Sequence, residues 1–134
     1  MSTIVGPAAL DRHGLITWFA DWVFQTTTIE GLVGKQVYRS VLWSIPDIDQ
    51  DNEMIDRTII TLFAPARLPT KERSLIDYMR HLDIFEEFYF VEGLREYVDQ
   101  TPDLSLLREV AEHYGVLPQL EEWLIEIEDR SDCE

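Results

Sequence analysis

The amino-acid sequence predicts a mainly α-helical protein, a compact bundle of five to seven helices, with a small β-hairpin from residues 35–63 as the variant. From residue 70 onward, apolar residues recur at helical spacing between recognisable helix starts and stops. The 134 residues are 46% hydrophobic and include 4 Trp, 5 Tyr and 6 Phe. That is enough large apolar material for one core, so we expect residues 1–134 to form a single globular domain.

The first predicted helix runs from Asp11 to about Gln25. Asp11 can act as its cap, and Leu15, Ile16 and Phe19 begin a stripe at helical spacing. Further apolar residues lie off that stripe, so the helix would be apolar nearly all round. Such a helix is either central in the fold or part of an interface.

Residues 29–63 leave helix and strand open as alternatives. Val37 and Val41 fit both a helical spacing and a strand-like alternation that continues to Trp43, while Gly31 and Gly34 weaken the helical alternative. A second apolar run covers residues 59–63, beyond a polar loop at residues 47–53. Two strands here would pair as a hairpin, whereas two helices would make the protein all-α.

Two helices are predicted between residues 70 and 99. Thr70 can cap a helix that continues to about His81. Asp83, followed three residues later by Glu86, resembles a capping box and would open a helix to about Asp99.

The last two predicted helices form an αα-hairpin. Thr101 and Pro102 would open the first of them, and Gly115 would close it in the usual C-terminal position. Pro118 would then open the final helix, which has one apolar face and one acidic face. The short connection predicts that these two helices lie antiparallel.

The charge of the chain is strongly negative and unevenly distributed. The formal net charge is −15. Residues 1–82 carry 10 acidic and 8 basic residues, whereas residues 83–134 carry 16 acidic and 3 basic residues. Nucleic acid and anionic membranes are therefore excluded as direct partners, because both need a basic protein surface. A basic protein surface is the expected partner, although salt adaptation would also explain the acidity.

The residues predicted to bind this partner are acids of the C-terminal helices and one aromatic residue beside them. An outward-facing aromatic residue next to acids is a good candidate for an interface hot spot. The predicted partner-binding residues are Glu86, Glu87, Tyr89, Glu92, Glu96, Glu109, Glu112, Glu121, Glu122, Glu126, Glu128 and Asp129.

One segment partly resembles a calcium-binding loop. Asp47, Asp49 and Asp51 alternate as the ligands of such a loop do. The sixth position is Asn52 rather than glycine, and the twelfth is Thr58 rather than glutamate. The alternative is that these acids precede a helix, whose dipole favours negative charge.

No other motif predicts catalysis, a metal or a cofactor. His13, His81 and His113 are far apart and lack the spacing of zinc ligands. Cys133, the only cysteine, lies outside any arrangement that would activate a thiolate. We therefore predict a protein that is not an enzyme and needs no metal or cofactor. The absence of disulfides and of a signal-like N-terminus predicts a cytoplasmic location.

The resulting functional hypothesis is a non-enzymatic inhibitor that covers a basic surface of a nucleic-acid-handling protein. It could be an immunity protein or antitoxin, or an anti-defence inhibitor that acts as a DNA mimic. One alternative is a small acidic secretion or assembly chaperone, which would be a homodimer with an apolar groove. Another is a small-molecule-binding helical protein or enzyme, which would need a deep pocket with convergent polar groups.

Overall fold

The computed structural model describes residues 2–18, 23–61 and 63–132. Within these residues the chain forms six α-helices and six strands, so the fold is α+β and the predicted mainly α-helical bundle is wrong. In chain order the elements are β1 (Ser2–Thr3), α1 (Gly6–Arg12), β2 (Val23–Thr26), a 3₁₀ turn (Glu30–Leu32), β3 (Gln36–Val37), β4 (Ser40–Trp43), α2 (Pro46–Asp49), β5 (Ile55–Ile60), β6 (Pro65–Pro69), α3 (Lys71–Arg80), α4 (Glu87–Gln100), α5 (Ser105–His113) and α6 (Leu117–Asp132).

The strands form two mixed sheets of three strands each. In one sheet the order is β1-β6-β5, with β1 parallel and β5 antiparallel to β6. In the other the order is β2-β4-β3, with β2 parallel and β3 antiparallel to β4. A single bridge between Ile4 and Gln25 connects the two sheets, and the backbone N–H of Thr3 donates to the Thr26 hydroxyl (2.9 Å). Strand β1 therefore lies between β6 and β2.

The predicted helix from Asp11 to Gln25 does not form. Helix α1 ends at Arg12, and Gly14 adopts a φ of +72° immediately afterwards, a conformation in which glycine commonly ends a helix. Leu15 and Ile16 are buried in the core from an irregular segment, and β2 follows. The rest of the predicted stripe, from residue 19 to residue 22, lies outside the described residues.

The hairpin variant for residues 35–63 is wrong in its pairing. Strands do form in both apolar runs, but β4 pairs with β2 and β3. Strand β5 pairs with β6, which lies beyond the predicted hairpin. The alternation along one strand indicates that it is half-buried, but it does not identify the strand beside it.

The C-terminal helices are close to the prediction, with shifted starts. The Thr70 hydroxyl accepts a hydrogen bond from the backbone N–H of Arg73, which confirms Thr70 as the cap of α3. Gly115, at a φ of +72°, follows the end of α5, also as predicted. The starts of α4 and α5 were placed too early: Glu86 precedes α4 without a side-chain cap, and Leu104 precedes α5.

The main core lies between the helices and one face of the β2-β4-β3 sheet. Phe24, Trp43, Tyr78 and Phe85 form a connected aromatic cluster at this junction, with ring centroids 5.4–6.3 Å apart. A smaller apolar cluster around Leu68 lies against the other sheet. Such edge-to-face and offset aromatic contacts add stability beyond the area that they bury.

A fully buried arginine connects the central loop to the helices. The guanidinium of Arg73 on α3 donates to Asp77 (3.0 Å) and to the carbonyl oxygens of Ile48 (3.1 Å), Asp51 (3.1 Å) and Glu53 (2.7 Å). Its side chain has no solvent exposure. The rigid fork of five N–H donors suits this use, since one side chain satisfies three backbone carbonyls and one carboxylate.

We predict that Arg73→Met lowers the free energy of unfolding by about 3–5 kcal/mol, as measured by urea denaturation. The substitution leaves the buried Asp77 without its closest cation and removes the donor to three carbonyl groups.

The matched control is Arg57→Met, because Arg57 pairs with Asp56 at the surface (2.8 Å). This control should cost less than about 1 kcal/mol. Equal small effects of the two substitutions would show that the buried guanidinium does not stabilise the fold.

Candidate functional site

Helices α4, α5 and α6 carry almost all of the predicted partner-binding residues, and most of these are exposed. Three of them are half-buried: Tyr89, Glu92 and Glu121. The exposed ones are Glu86, which directly precedes α4, and Glu87, Glu96, Glu109, Glu112, Glu122, Glu126, Glu128 and Asp129. The structure thus leaves most of these carboxylates available at the surface.

Apolar contacts on the inner side of α6 fix which of its residues face outward. Leu120 and Ile127 are buried, and the Trp123 ring meets Phe90 of α4 edge-on, with centroids 5.2 Å apart. Residues 122, 126 and 129 lie on the outer side and are all acidic. Helix α4 repeats the same spacing of acids at residues 92, 96 and 99. Like charges at this spacing repel each other, so packing must stabilise both helices.

Two adjoining clefts lie on this part of the surface. The first, of about 590 Å³, is bounded by α4, α6 and the beginning of α5. The second, of about 600 Å³, runs along α4 from Glu87 to Asp99. Arg95 and Asp99 line both of them, so the clefts are continuous with each other.

The clefts combine an apolar lining with an excess of negative charge. Among the described residues, the lining comprises seven apolar residues, six acids and two arginines. The Arg108 Nε donates to Glu121 (2.7 Å), which raises the pKa of Arg108. The acids that line the clefts are Glu87, Glu92, Glu96, Asp99, Glu121 and Glu128.

Two exposed apolar side chains border the clefts, and neither is among the predicted partner-binding residues. Phe88 is 68% exposed and Ile125 is 60% exposed. Tyr89, the predicted hot spot, is half-buried. Its ring meets the Phe88 ring edge-on, with ring centroids 5.4 Å apart. The spacing of residues along α4 indicates that Phe88 faces outward, because Phe88 shares a helix face with Glu92 and Asp99 on the polar side of α4.

The alternating carboxylates of residues 47–51 meet different protein partners. They do not converge on one point, and the described residues contain no group of three or more metal-ligating side chains. The calcium alternative therefore finds no support in this geometry. The contacts are Asp47 with Arg80 (3.0 Å) and His81 (2.9 Å), Asp49 with the Thr26 hydroxyl (2.6 Å), and Asp51 with the Tyr114 hydroxyl.

The histidines and the cysteine do not form a site in the described structure. The His13 ring lies 2.7 Å from the carbonyl oxygen of Pro69, and burial lowers the pKa of His13. His113 pairs with a different residue, Glu53 (2.8 Å). Cys133 lies outside the described residues.

Asp77 is the buried acid with the most perturbed titration. Burial raises the pKa of Asp77 from 3.8 to about 6, against the opposing effects of Arg73 (3.0 Å) and Arg80 (3.6 Å). The Arg80 guanidinium also lies over the Tyr114 ring, 4.7 Å from its centroid. This cluster connects α3 to α5 and lies away from the acidic clefts. We interpret it as part of the scaffold.

In the described parts of the chain, no helix has both the length and the apolar character needed to cross a membrane. The sequence matches no protein-family model, and no curated protein is significantly similar to it. The functional interpretation therefore depends on the geometry and charge described above.

We predict that the destabilisation caused by Asp77→Asn depends on pH. Below pH 3.8 the carboxyl is protonated in both states, so the native protein retains the full contribution of Asp77. As pH rises from 3.8 to about 6, the carboxyl ionises in the unfolded chain but stays protonated in the native protein, so that contribution is lost over this range, whereas Asn cannot ionise. The difference in unfolding free energy between wild type and Asp77→Asn should fall by about 3 kcal/mol from pH 3.5 to pH 7.

Urea denaturation of both proteins across this pH range measures the difference directly. A difference that is constant or grows with pH would contradict the raised pKa of Asp77.

Proposed function

We propose that the protein is a non-enzymatic inhibitor that binds a basic surface of a nucleic-acid-handling protein through α4, α5 and α6. The observation that carries this proposal is the composition of the two adjoining clefts, whose described lining brings together six acids, seven apolar residues and two arginines. A surface of this kind attracts a cationic partner and also offers it apolar contact area.

The two kinds of residue would have different roles in binding. The exposed carboxylates raise the rate of encounter with a basic partner and orient it, an effect that weakens as salt is added. The apolar lining, with the exposed Phe88 and Ile125, supplies contacts that exclude water once the partner is bound. Affinity would then come mainly from the clefts, and specificity from the charges around them.

An apolar cleft bordered by acids favours one version of the proposal. A mimic of nucleic acid needs carboxylates in an extended row that occupies a phosphate-binding channel. An immunity protein or antitoxin needs a compact patch that complements the surface of its toxin. Since the acids here border apolar clefts, we favour the immunity or antitoxin role. We propose the cytoplasm as its setting, because the single cysteine gives no sign of adaptation to an oxidising compartment.

The chaperone alternative is favoured by one of the same observations, the apolar clefts. It differs in requiring a homodimer, whereas a chain with a net charge of −15 repels its own copies.

We expect a concentration-independent mass near the 15.7 kDa of one chain in light scattering coupled to size-exclusion chromatography. A stable dimer at micromolar concentration would favour the chaperone.

The central test of the proposal reverses two exposed charges of α6. Glu122→Lys combined with Glu128→Lys should reduce capture of the partner at least tenfold, because it places cations where the partner's cations bind. The measurement is a pull-down from lysate of the native host at low salt. Bound protein is eluted by a salt step and quantified by mass spectrometry.

The control variant changes the net charge by the same amount outside helices α4, α5 and α6. It combines Glu30→Lys, Gln36→Lys and Ser44→Lys, three exposed positions remote from α6 in the chain. Capture that survives in the control and is lost in the α6 variant would support the proposal. Equal capture by all three proteins would contradict it, provided that far-UV circular dichroism shows each to be folded.

A further inference from the structure

The proposed function leaves open what part of the partner the surface recognises. We propose that the two adjoining clefts act as one groove, and that the groove receives a single amphipathic helix of the partner with an apolar stripe flanked on both sides by Lys or Arg. This inference rests on the proposed function, because it names the recognition element that the acidic surface binds.

The length of the groove sets the length of its occupant. Its α4 side extends from Glu87 to Asp99. At 1.5 Å per residue this is about 18 Å of helix axis. A helix that lies along the whole groove would therefore contribute about 12 residues, a little over three turns. A stripe of that length presents three or four apolar residues at positions i, i+3 or i+4, and i+7.

The lining of the groove determines the chemistry of this helix. Val91 of α4 and Leu124 of α6 belong to the apolar lining, and the exposed Phe88 and Ile125 can pack against an apolar stripe. At the first cleft, acids stand on both of the bordering helices, Asp99 on α4 and Glu128 on α6, and the described acids of the second cleft continue along α4. A helix with cations on both sides of its apolar stripe would match both borders.

The secondary structure around the groove argues against an extended occupant. Strand addition needs an open sheet edge with free backbone groups. The residues that line these clefts all come from helices α4, α5 and α6 or from Leu104, next to the start of α5. The backbone of a helix is already paired internally, so recognition here must depend on side chains, as it does when a helix lies in a groove.

Charge also argues against occupants supplied by this chain. A second copy would bring a further net charge of −15 toward an acidic groove. A partner of opposite charge is the occupant that complements the groove.

The test uses three synthetic peptides of 14 residues made of leucine with lysine or glutamate. The first is an amphipathic helix with a leucine stripe and lysines on both sides. The second has the same composition in an order that does not segregate leucine on one face. The third is the amphipathic peptide with glutamate in place of lysine. Isothermal titration calorimetry of each peptide with the full chain gives its affinity.

We expect the amphipathic lysine peptide to bind at least tenfold more tightly than its rearranged form, and the glutamate peptide not to bind. Phe88→Ser combined with Ile125→Ser should weaken binding of the amphipathic lysine peptide at least tenfold. The matched control is Ile60→Ser, which removes an apolar side chain that is 78% exposed on β5. It should leave the affinity unchanged.

The outcomes separate this inference from the proposed function. Equal affinity for the two lysine peptides, unaffected by Phe88→Ser with Ile125→Ser, would overturn the groove and leave an electrostatic binding surface. Binding of the glutamate peptide as tightly as the lysine peptides would contradict the proposed function itself. Self-association that blocks the peptide would identify a second copy as the occupant and would also overturn the inference.

Discussion

The arrangement of the chain depends on the buried guanidinium of Arg73. Through three backbone carbonyls it holds the segment that contains α2 and the loop after it against α3. From the other side, Arg67 of β6 donates to the Asp49 carbonyl oxygen (2.7 Å) and to the Thr3 hydroxyl (3.1 Å). This one segment therefore connects the sheets to the helices. A charge with no solvent exposure is stable only while all of these partners stay in place, which couples the two parts of the fold.

The sequence predicted the C-terminal helices well because their signals are local. Thr70 and Gly115 stop or start a helix through contacts within a few residues, so the pattern alone identifies them. The strands gave no such signal. Residues 23–26 pair with residues 40–43, and β1 is only two residues long, so neither alternation nor length distinguishes them. Gly14 was the one local sign that the first predicted helix could not continue.

The candidate site was predictable in its charge and not in its shape. Counting acids along residues 83–129 located the surface, since exposure of Glu and Asp on amphipathic helices follows from periodicity. The clefts depend on how α6 packs across α4, through contacts such as Phe90 with Trp123, which no local pattern specifies. The same limit applies to Asp47, which the spacing grouped with calcium ligands although its partner, Arg80, lies 33 residues away.

The position of β1 has a consequence for how the chain folds. Ser2 and Thr3 pair with Ala66 and Arg67, so this pairing closes a loop of more than sixty residues. The contacts within α3 to α6 span far shorter stretches of sequence. During synthesis on a ribosome, β1 can pair with β6 only after residues 65–69 have emerged. Closing large loops is slow because their entropy is lost before any pairing compensates for it, so we expect assembly of the sheets to limit the folding rate.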